Sequence, residues 1–555
     1  MAPQVDAAAV SVSEPASRDS RSVYVRNAAV MTAGTVLSRL TGLVRISVQA
    51  WAIGVSVSAL ADTYNAANTA PNIVYELLLG GVLTSVFVPV FVDRMTSHGR
   101  DDAWRVADRV LTLTLVVLAL AAVVAAVFAP QIMRFYTVAH VGVDRDRQIE
   151  VGAFLLRWFM PQMVFYGIGA IAGGLLNAGR RFAAPMFAPI LNNLVVICAF
   201  VAYALSRGDA PTSLTDLSGA QATLLGAGTT LGVVAMTVAL WPSLRRMGYR
   251  WHLNFDWRHP AVRHLARLSG WVAIYVAANQ VSYQLIIVLN GRIGAGALTA
   301  YQYAFTLFQL PYALFVVSIF TALLPGMSER WTTGDRGGVV ELFSRGVRDT
   351  AVIMLPAALG YVALALPISR LIFQRGQTAA VDAETIAHTL QAFALGLPFF
   401  AAFQLLTRTF YSMQDSRTPA LLNIAAATVN VGVDMILVVG LRMGVPAMAL
   451  GHAASYLLGT LVLAWLLRRK LGSLDGRRVA STLARTVPAA VLTALCAAGV
   501  AALVGSDTAA GTATRVLQVV VGVGTGVLVF VGLAFILRVR EVDEVRRALL
   551  ARIGR

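Results

Sequence analysis

Residues 31–54 read MTAGTVLSRLTGLVRISVQAWAIG, and residues 61–94 read ADTYNAANTAPNIVYELLLGGVLTSVFVPVFVDR. Each stretch holds an apolar run long enough to cross a bilayer, which takes about 20 residues. Inside those runs or at their mouths stand Arg39, Arg45, Asp62 and Glu76. An ionisable side chain in hydrocarbon is costly, so it faces a wet cavity, a partner or a charged ligand. The remainder of the chain reads as the wall of such a cavity.

The 555 residues are 57% hydrophobic and 13% charged, against about 25% charged in an ordinary soluble domain. A soluble chain could not hide that much apolar surface, so the class is an all-α polytopic membrane protein. The net charge of +17 would point to nucleic acid in a soluble protein; here the basic residues mark topology instead, and no nucleic-acid partner is expected. Cys198 and Cys496 both lie in apolar runs, with no metal spacing and no disulfide framework. Residues 1–26 read as a disordered cytoplasmic tail lacking a cleavable signal core. The first span then acts as an uncleaved signal anchor.

Fourteen spans are expected, near 27–54, 63–92, 105–129, 150–176, 183–206, 219–243, 264–290, 297–326, 340–372, 386–412, 418–441, 444–467, 482–504 and 513–537. With the N-terminus in the cytoplasm, and arginines near span ends counted to the adjoining loop, 32 of the 45 Lys and Arg fall on the cytoplasmic side and 9 outside, while Arg39, Arg45, Arg157 and Arg408 are counted within spans. That positive-inside bias predicts both termini in the cytoplasm. The C-terminal residues 541–555 form a cytoplasmic tail with the spacing of a short interfacial helix.

An internal repeat runs through the first twelve spans. Pro185 corresponds to Pro419 at an offset of 234, and Pro71 to Pro311 at 240. The repeat predicts two pseudo-symmetric six-helix lobes, residues 27–243 and 244–470, with two further helices in 471–540. Parallel repeats of this kind place substrate between them, near the midplane. Prolines 161, 185, 189, 311 and 356 are expected where helices bend around that space.

No catalytic constellation emerges: there is no HExxH and no phosphate loop in a strand–helix setting. What remains is polarity within spans. Arg39 and Arg45 are six residues apart, about 9 Å in rise, and Thr41-Gly42 between them could bend the helix so that both guanidinium groups reach one cavity. The planar fork of Arg suits a diphosphate. Snorkelling of Arg45 to the interface, with Arg39 paired to Asp62 or Glu76, fits the same residues. Asn430 and Asp434, four apart on one helical face, offer oxygen donors for Na⁺ or a site for H⁺, or a hydrogen bond to a neighbouring helix. Asn279, Gln280, Ser282, Tyr283 and Gln284 give span seven a polar middle, and Gln302, Gln309 and Gln404 add to the C-terminal lobe.

At SRLTGLVR (38–45), ADTYNAANTAPN (61–72), LLNAGRRFAAPMFAPILNNL (175–194), FQLPYALFVVSIFTALLP (308–325) and YSMQDSRTPALLN (411–423) the chain resembles the MurJ/MviN lipid II flippases of the MOP transporter superfamily. The resemblance implies fourteen helices around a cationic cavity. It also implies alternating access that moves the undecaprenyl-diphosphate-linked peptidoglycan precursor, lipid II, from the inner to the outer leaflet of the cytoplasmic membrane. By the same resemblance the substrate site comprises Arg39, Arg45 and Asp62, with Ser38, Asn72, Glu76 and Gln309 beside them, and a cation site comprises Asn430, Asp434 and Asn279. No cofactor is implied beyond a coupling Na⁺ or H⁺; membrane lipids and cell-wall synthesis proteins are the implied partners. The chain departs from the family at Tyr75 and Glu76, where an Arg is common, and at Thr306 and Gln309, where an Arg and a Glu are common, so the cavity keeps only part of the usual positive charge.

A transporter without covalent chemistry is thus the expected class. An exporter of the same superfamily carrying another lipid-linked oligosaccharide, or a drug, is the alternative, and a non-transporting scaffold of the cell-wall machinery is a third.

Overall fold

A computed structural model describes residues 18–77, 88–140, 144–256, 258–260, 280–505 and 511–543. Among them every regular element is a helix. In chain order these are α1 (Arg18–Ile53), α2 (Leu60–Leu77), α3 (Val88–Ser97), α4 (Arg100–Val127) and α5 (Ala129–Tyr136). Next come α6 (Arg145–Ala178), α7 (Ala183–Arg207), α8 (Gly219–Arg246), α9 (280–293), α10 (Ala297–Thr332), α11 (Arg336–Phe373) and α12 (Ala380–Ser412). Then follow α13 (Arg417–Gly440), α14 (Pro446–Leu471), α15 (Gly476–Val504) and α16 (Thr512–Ile536). We call the end at which α1 finishes the distal end and the opposite one the proximal end.

Eleven of these helices are long and apolar enough to cross a membrane, which accords with the expected class. The expected total of fourteen also counts α1, the 63–92 span, whose residues 78–87 lie outside the description, and the 264–290 span, described only from residue 280. The tails differ from expectation. α1 begins at Arg18, inside the stretch read as disordered. Glu541, assigned to the loose C-terminal tail, is buried and accepts from Arg348 at 2.6 Å and Thr482 at 3.2 Å, because a buried carboxylate needs such partners.

Local sequence explains where helices start and stop. Asp144 caps α6 by accepting from the Arg147 amide at 3.0 Å, and Ser218 and Gln221 form a reciprocal capping box at the start of α8. Of the prolines, Pro161 sits at the kink inside α6 and Pro311 precedes a wide π-type turn at Tyr312–Val316. Pro189 and Pro356 stay inside continuous helices.

Helices approach closely where side chains are small. A Cβ on Gly396 of α12 would meet the Ala453 backbone of α14 at 2.8 Å. The larger buried core gathers Tyr301, Phe308, Phe373, Phe393 and Phe400 of the C-terminal half with Ile46 and Ala50 of α1; a second is built on Tyr64, Phe159 and Phe200. Between the halves, residues 247–256 strap onto α4: the Tyr249 hydroxyl donates to Asp108 at 2.7 Å, and the Asn254 amide to Thr112 at 3.1 Å. Burial, then the neighbouring carboxylate, pushes the Tyr249 phenol well above its ordinary range.

Gly396→Val is expected to force α12 and α14 apart and to destabilise the fold by about 1–3 kcal/mol, the cost of overpacking. A lowered thermal midpoint of the purified protein, with Gly396→Ala falling between, is the check.

Candidate functional site: a basic chamber, a distal seal and a polar pocket

α1 runs unbroken through Thr41-Gly42, so the bend suggested by the sequence is absent. Asn193 of α7 explains the polar residues there: its amide donates to the Ser38 carbonyl at 3.2 Å and to the Thr41 hydroxyl at 3.0 Å. Gly42 leaves that amide room, a Cβ meeting it only at 3.7 Å. Ser38 thus contributes its backbone to α1–α7 packing. Asn193 was missed as a positioning residue, although it lies in the quoted 175–194 motif.

At about 100° per residue, Val36, Arg39, Leu43, Ile46, Ala50 and Ile53 share one side of α1. Ile46, Ala50 and Ile53 are buried, Leu43 is half-buried, and Val36 and Arg39 are open. One face of the helix is therefore packed at its distal half and exposed at its proximal half, where Leu37 and Leu40 on the adjoining side are exposed as well. Arg39 is exposed and has no hydrogen-bond or ion-pair partner among the described residues. Arg45 is half-buried; its Nε is buried without an acceptor, and it lies within electrostatic reach of the Tyr64 and Tyr303 hydroxyls. The Tyr303 hydroxyl is likewise buried and unpartnered.

Asp62 is not part of that chamber. It is 2% exposed, and its carboxylate accepts from the Gly296 amide at 2.8 Å, the Thr299 amide at 2.9 Å and the Thr299 hydroxyl at 2.6 Å. The N-terminal half thereby caps α10 of the C-terminal half, satisfying amides a helix start leaves orphaned. In this arrangement Asp62 serves the contact between the halves, with three donors on its carboxylate.

The cap belongs to a larger seal. The Asn65 amide donates to Thr299 at 3.0 Å, and Gln49 to Asn65 at 2.9 Å. Ser47 donates to the Ile372 carbonyl at 2.5 Å and Thr378 to the Ala50 carbonyl at 2.8 Å. The Gln377 amide donates to the Trp51 carbonyl at 3.2 Å and its side chain accepts from the Thr212 amide at 3.0 Å, while Ser56 donates to Asp382. Gly296, at φ +84°, lies against the Ser56 backbone where any side chain would collide. These contacts join the two halves at the distal end.

A separate cavity of about 130 Å³ lies within the C-terminal half, lined by Ser282, Tyr283, Tyr301, Asn430, His452 and Ser455 among others. Asp434 is fully buried beside it, and neither carboxylate oxygen has a partner; Asn430 Oδ1 and His452 Nε2 are also buried and unpartnered. A Cβ on Gly451 would collide with Asp434 and come within 3.2 Å of Asn430 Oδ1, so both polar groups crowd one point of α14.

The remaining expected residues are dispersed. Asn72 accepts from Tyr166 at 3.1 Å and donates to the Asn68 carbonyl. Gln309 is half-buried on α10. The side chain of Glu76, and Asn279 altogether, lie outside the described residues.

A family model described as lipid II flippase MurJ matches residues 50–520. The chain belongs to the lipid II flippase MurJ family. It is 27% identical over 436 residues to a probable lipid II flippase MurJ of Rickettsia prowazekii, covering 79% of this chain and 82% of that one. With the Thermotoga maritima protein of the same description, identity is 25% over 527 residues, 94% and 98% of the two chains. The fold is similar to a structure of lipid II flippase MurJ in an inward closed conformation, with TM-score 0.72 and 20% identity over 91% of this chain and 99% of that one. It is also similar, at TM-score 0.64 and 14% identity over 79% and 96%, to an inward-facing multidrug resistance MATE transporter of the MOP superfamily. Sequence and fold therefore place the chain among the MurJ flippases.

Asp62→Ala is expected to weaken the distal seal. A cysteine placed at Ala297 in a Cys198→Ser, Cys496→Ser background should then react several-fold faster with a membrane-impermeant maleimide added outside.

Proposed function

We propose that the chain carries lipid II from the inner to the outer leaflet by alternating access of its two halves, with both termini in the cytoplasm. The distal seal is then the closed outer gate, and the open proximal halves of the walls face the cytoplasm. The observation that carries this reading is the pair of arginines on α1 that no protein group satisfies: Arg39 open to the chamber, and Arg45 with a buried Nε lacking an acceptor. A buried donor without an acceptor costs roughly 1–3 kcal/mol, and a diphosphate entering the chamber relieves that cost with charge-assisted bonds. The polyprenyl chain stays in lipid, while the sugars and peptide fill the wet space between the halves. Positioning and charge neutralisation suffice; no bond is made or broken.

The residues at the C-terminal pocket fit a coupling cation. Asp434 supplies a carboxylate and Asn430 an amide oxygen, hard donors of the kind Na⁺ takes, and all three oxygens are buried and otherwise unused. A cation bound there neutralises the carboxylate and would bias the packing of α13 against α14. Membrane lipids surround the chain, and cell-wall synthesis proteins are its functional neighbours in this reading.

Arg39→Gln and Arg45→Gln are each expected to abolish delivery of precursor to the outer leaflet while membrane insertion is retained. The readout is cleavage of exposed lipid II by an externally added enzyme in cells depleted of the native protein. Arg157→Gln, whose guanidinium reaches the Ala126 carbonyl, serves as the unaffected control. Full activity of both α1 variants would overturn the reading. For the cation, Asp434→Asn should remove Na⁺ stimulation of transport in vesicles; stimulation equal to wild type would exclude this pocket as the coupling site.

A further inference from the structure

Four arginines fall within the expected spans, and the chamber as described uses two. Arg157 reaches a backbone carbonyl at 3.4 Å. Arg408 of α12 remains. Among the described residues no carboxylate pairs with it, whereas its neighbours on adjoining helices are matched: Arg330 with Glu341 at 3.0 Å, Arg348 with Glu541 at 2.6 Å, and Lys470 with Asp415 at 2.9 Å.

Its place on α12 shows which way it looks. Leu395 and Phe399 are exposed on one side of the helix, an apolar strip suited to lipid. At about 100° per residue, Phe393, Leu397, Phe400, Gln404, Arg408 and Tyr411 gather on the opposite side. Phe393, Leu397 and Phe400 are buried, Gln404 is half-buried, and Arg408 and Tyr411 are exposed. This is the pattern of the Arg39 face of α1: packed distally and open proximally, but with polar residues where it opens.

α10 supplies the partner surface. Gln309 and Tyr312 are three residues apart on one face, and Tyr312 sits at the start of the π-type turn that re-aims side chains after Pro311. Its ring is held edge-on by Phe400 at 4.8 Å, and its hydroxyl lies within electrostatic reach of the Arg408 guanidinium. That hydroxyl is neutral, so among the described residues the charge of Arg408 is uncompensated.

We propose that Arg408, beside Tyr312, is an anion-binding residue of the C-terminal half that receives the diphosphate of the lipid precursor at the cytoplasmic mouth, before Arg39 and Arg45 take it deeper. Arg408 lies four residues from the end of α12, about 6 Å from the proximal end, while Arg39 is fourteen residues from the distal end of α1. This arrangement adds positive charge from α12 to the charge that α1 supplies at Arg39 and Arg45. The inference rests on the flippase reading and adds to it a contact on the opposite wall.

The test titrates the purified full-length protein with undecaprenyl diphosphate, undecaprenol and phosphatidylglycerol, using wild type, Arg39→Gln, Arg408→Gln, Arg408→Lys and Tyr312→Phe, all checked for equal thermal midpoints. Arg408→Gln should weaken undecaprenyl diphosphate about tenfold, the scale of one charge-assisted hydrogen bond, and leave undecaprenol unchanged. Arg408→Lys should lie between, since it keeps the charge but loses the fork, and Tyr312→Phe should show a smaller loss. Wild-type diphosphate affinity in Arg408→Gln, with Arg39→Gln impaired, overturns this inference alone. A loss confined to phosphatidylglycerol, or equal for both anionic lipids, makes Arg408 a headgroup contact and also overturns it. Absence of diphosphate binding by wild type overturns this inference and the flippase reading together.

Discussion

A carboxylate from one half of the molecule caps a helix in the other, and the arrangement of the chamber follows from that contact. Asp62 reaches the first turn of α10 and satisfies two backbone amides and a hydroxyl there. Because α10 begins where α1 ends, the cap fixes the two halves together at one rim only. Ile46 and Ala50 then lie buried in the aromatic core of the C-terminal half, and the same helix face emerges into the open at Arg39, seven residues before Ile46. That gradient along α1 is a consequence of closing one end.

Buried polar groups divide into two kinds. Asp62, Asn65 and Asn193 make hydrogen bonds to other helices and therefore hold the structure together. Arg45, Asp434, Asn430 and His452 keep buried atoms with no partner. Native proteins leave few such atoms, and each one asks for an explanation. Asp62 and Asn65 of the first group lie in the seal, and the atoms of the second are the ones the proposed function gives to ligands.

That division limits what the sequence alone could show. The spans, their helical nature and the importance of Arg39 and Arg45 were legible, because hydropathy and intramembrane charge are properties of a residue and its immediate neighbours. The pairing of Asn430 with Asp434 was legible from helical spacing. Asp62 looked the same as the arginines in sequence, an ionisable group at a span's mouth, yet it caps a helix 234 residues away; no local pattern encodes that contact. Asn193 and Arg408 were passed over for the converse reason. Their roles depend on which face of α7 or α12 looks inward, and that is decided by helices packed against them. The supposed bend at Thr41-Gly42 failed because the Asn193 amide and close helix packing occupy those residues without breaking α1.

The strength of the seal decides whether a ligand could reverse it. It comprises nine hydrogen bonds between the halves, from Ser47, Gln377, Thr378, Thr212, Ser56, Asn65 and the three at Asp62. In folding and docking such bonds exchange with water, so each neutral one is worth about 1 kcal/mol net. The four accepted by the Asp62 and Asp382 carboxylates are worth about 1.5–3 kcal/mol each, so the sum is roughly 11–17 kcal/mol, reduced because the opposite state makes contacts of its own. Moving a two-state equilibrium from 1:99 to 99:1 takes about 5.5 kcal/mol. Two or three charge-assisted bonds to a diphosphate, or a cation neutralising Asp434, operate on that scale, and so does membrane potential at about 2.3 kcal/mol per charge per 100 mV. In the proposed reading, a seal built mostly of neutral hydroxyls, amides and backbone groups keeps the distal end shut in the empty protein, yet yields to the energy of its ligands.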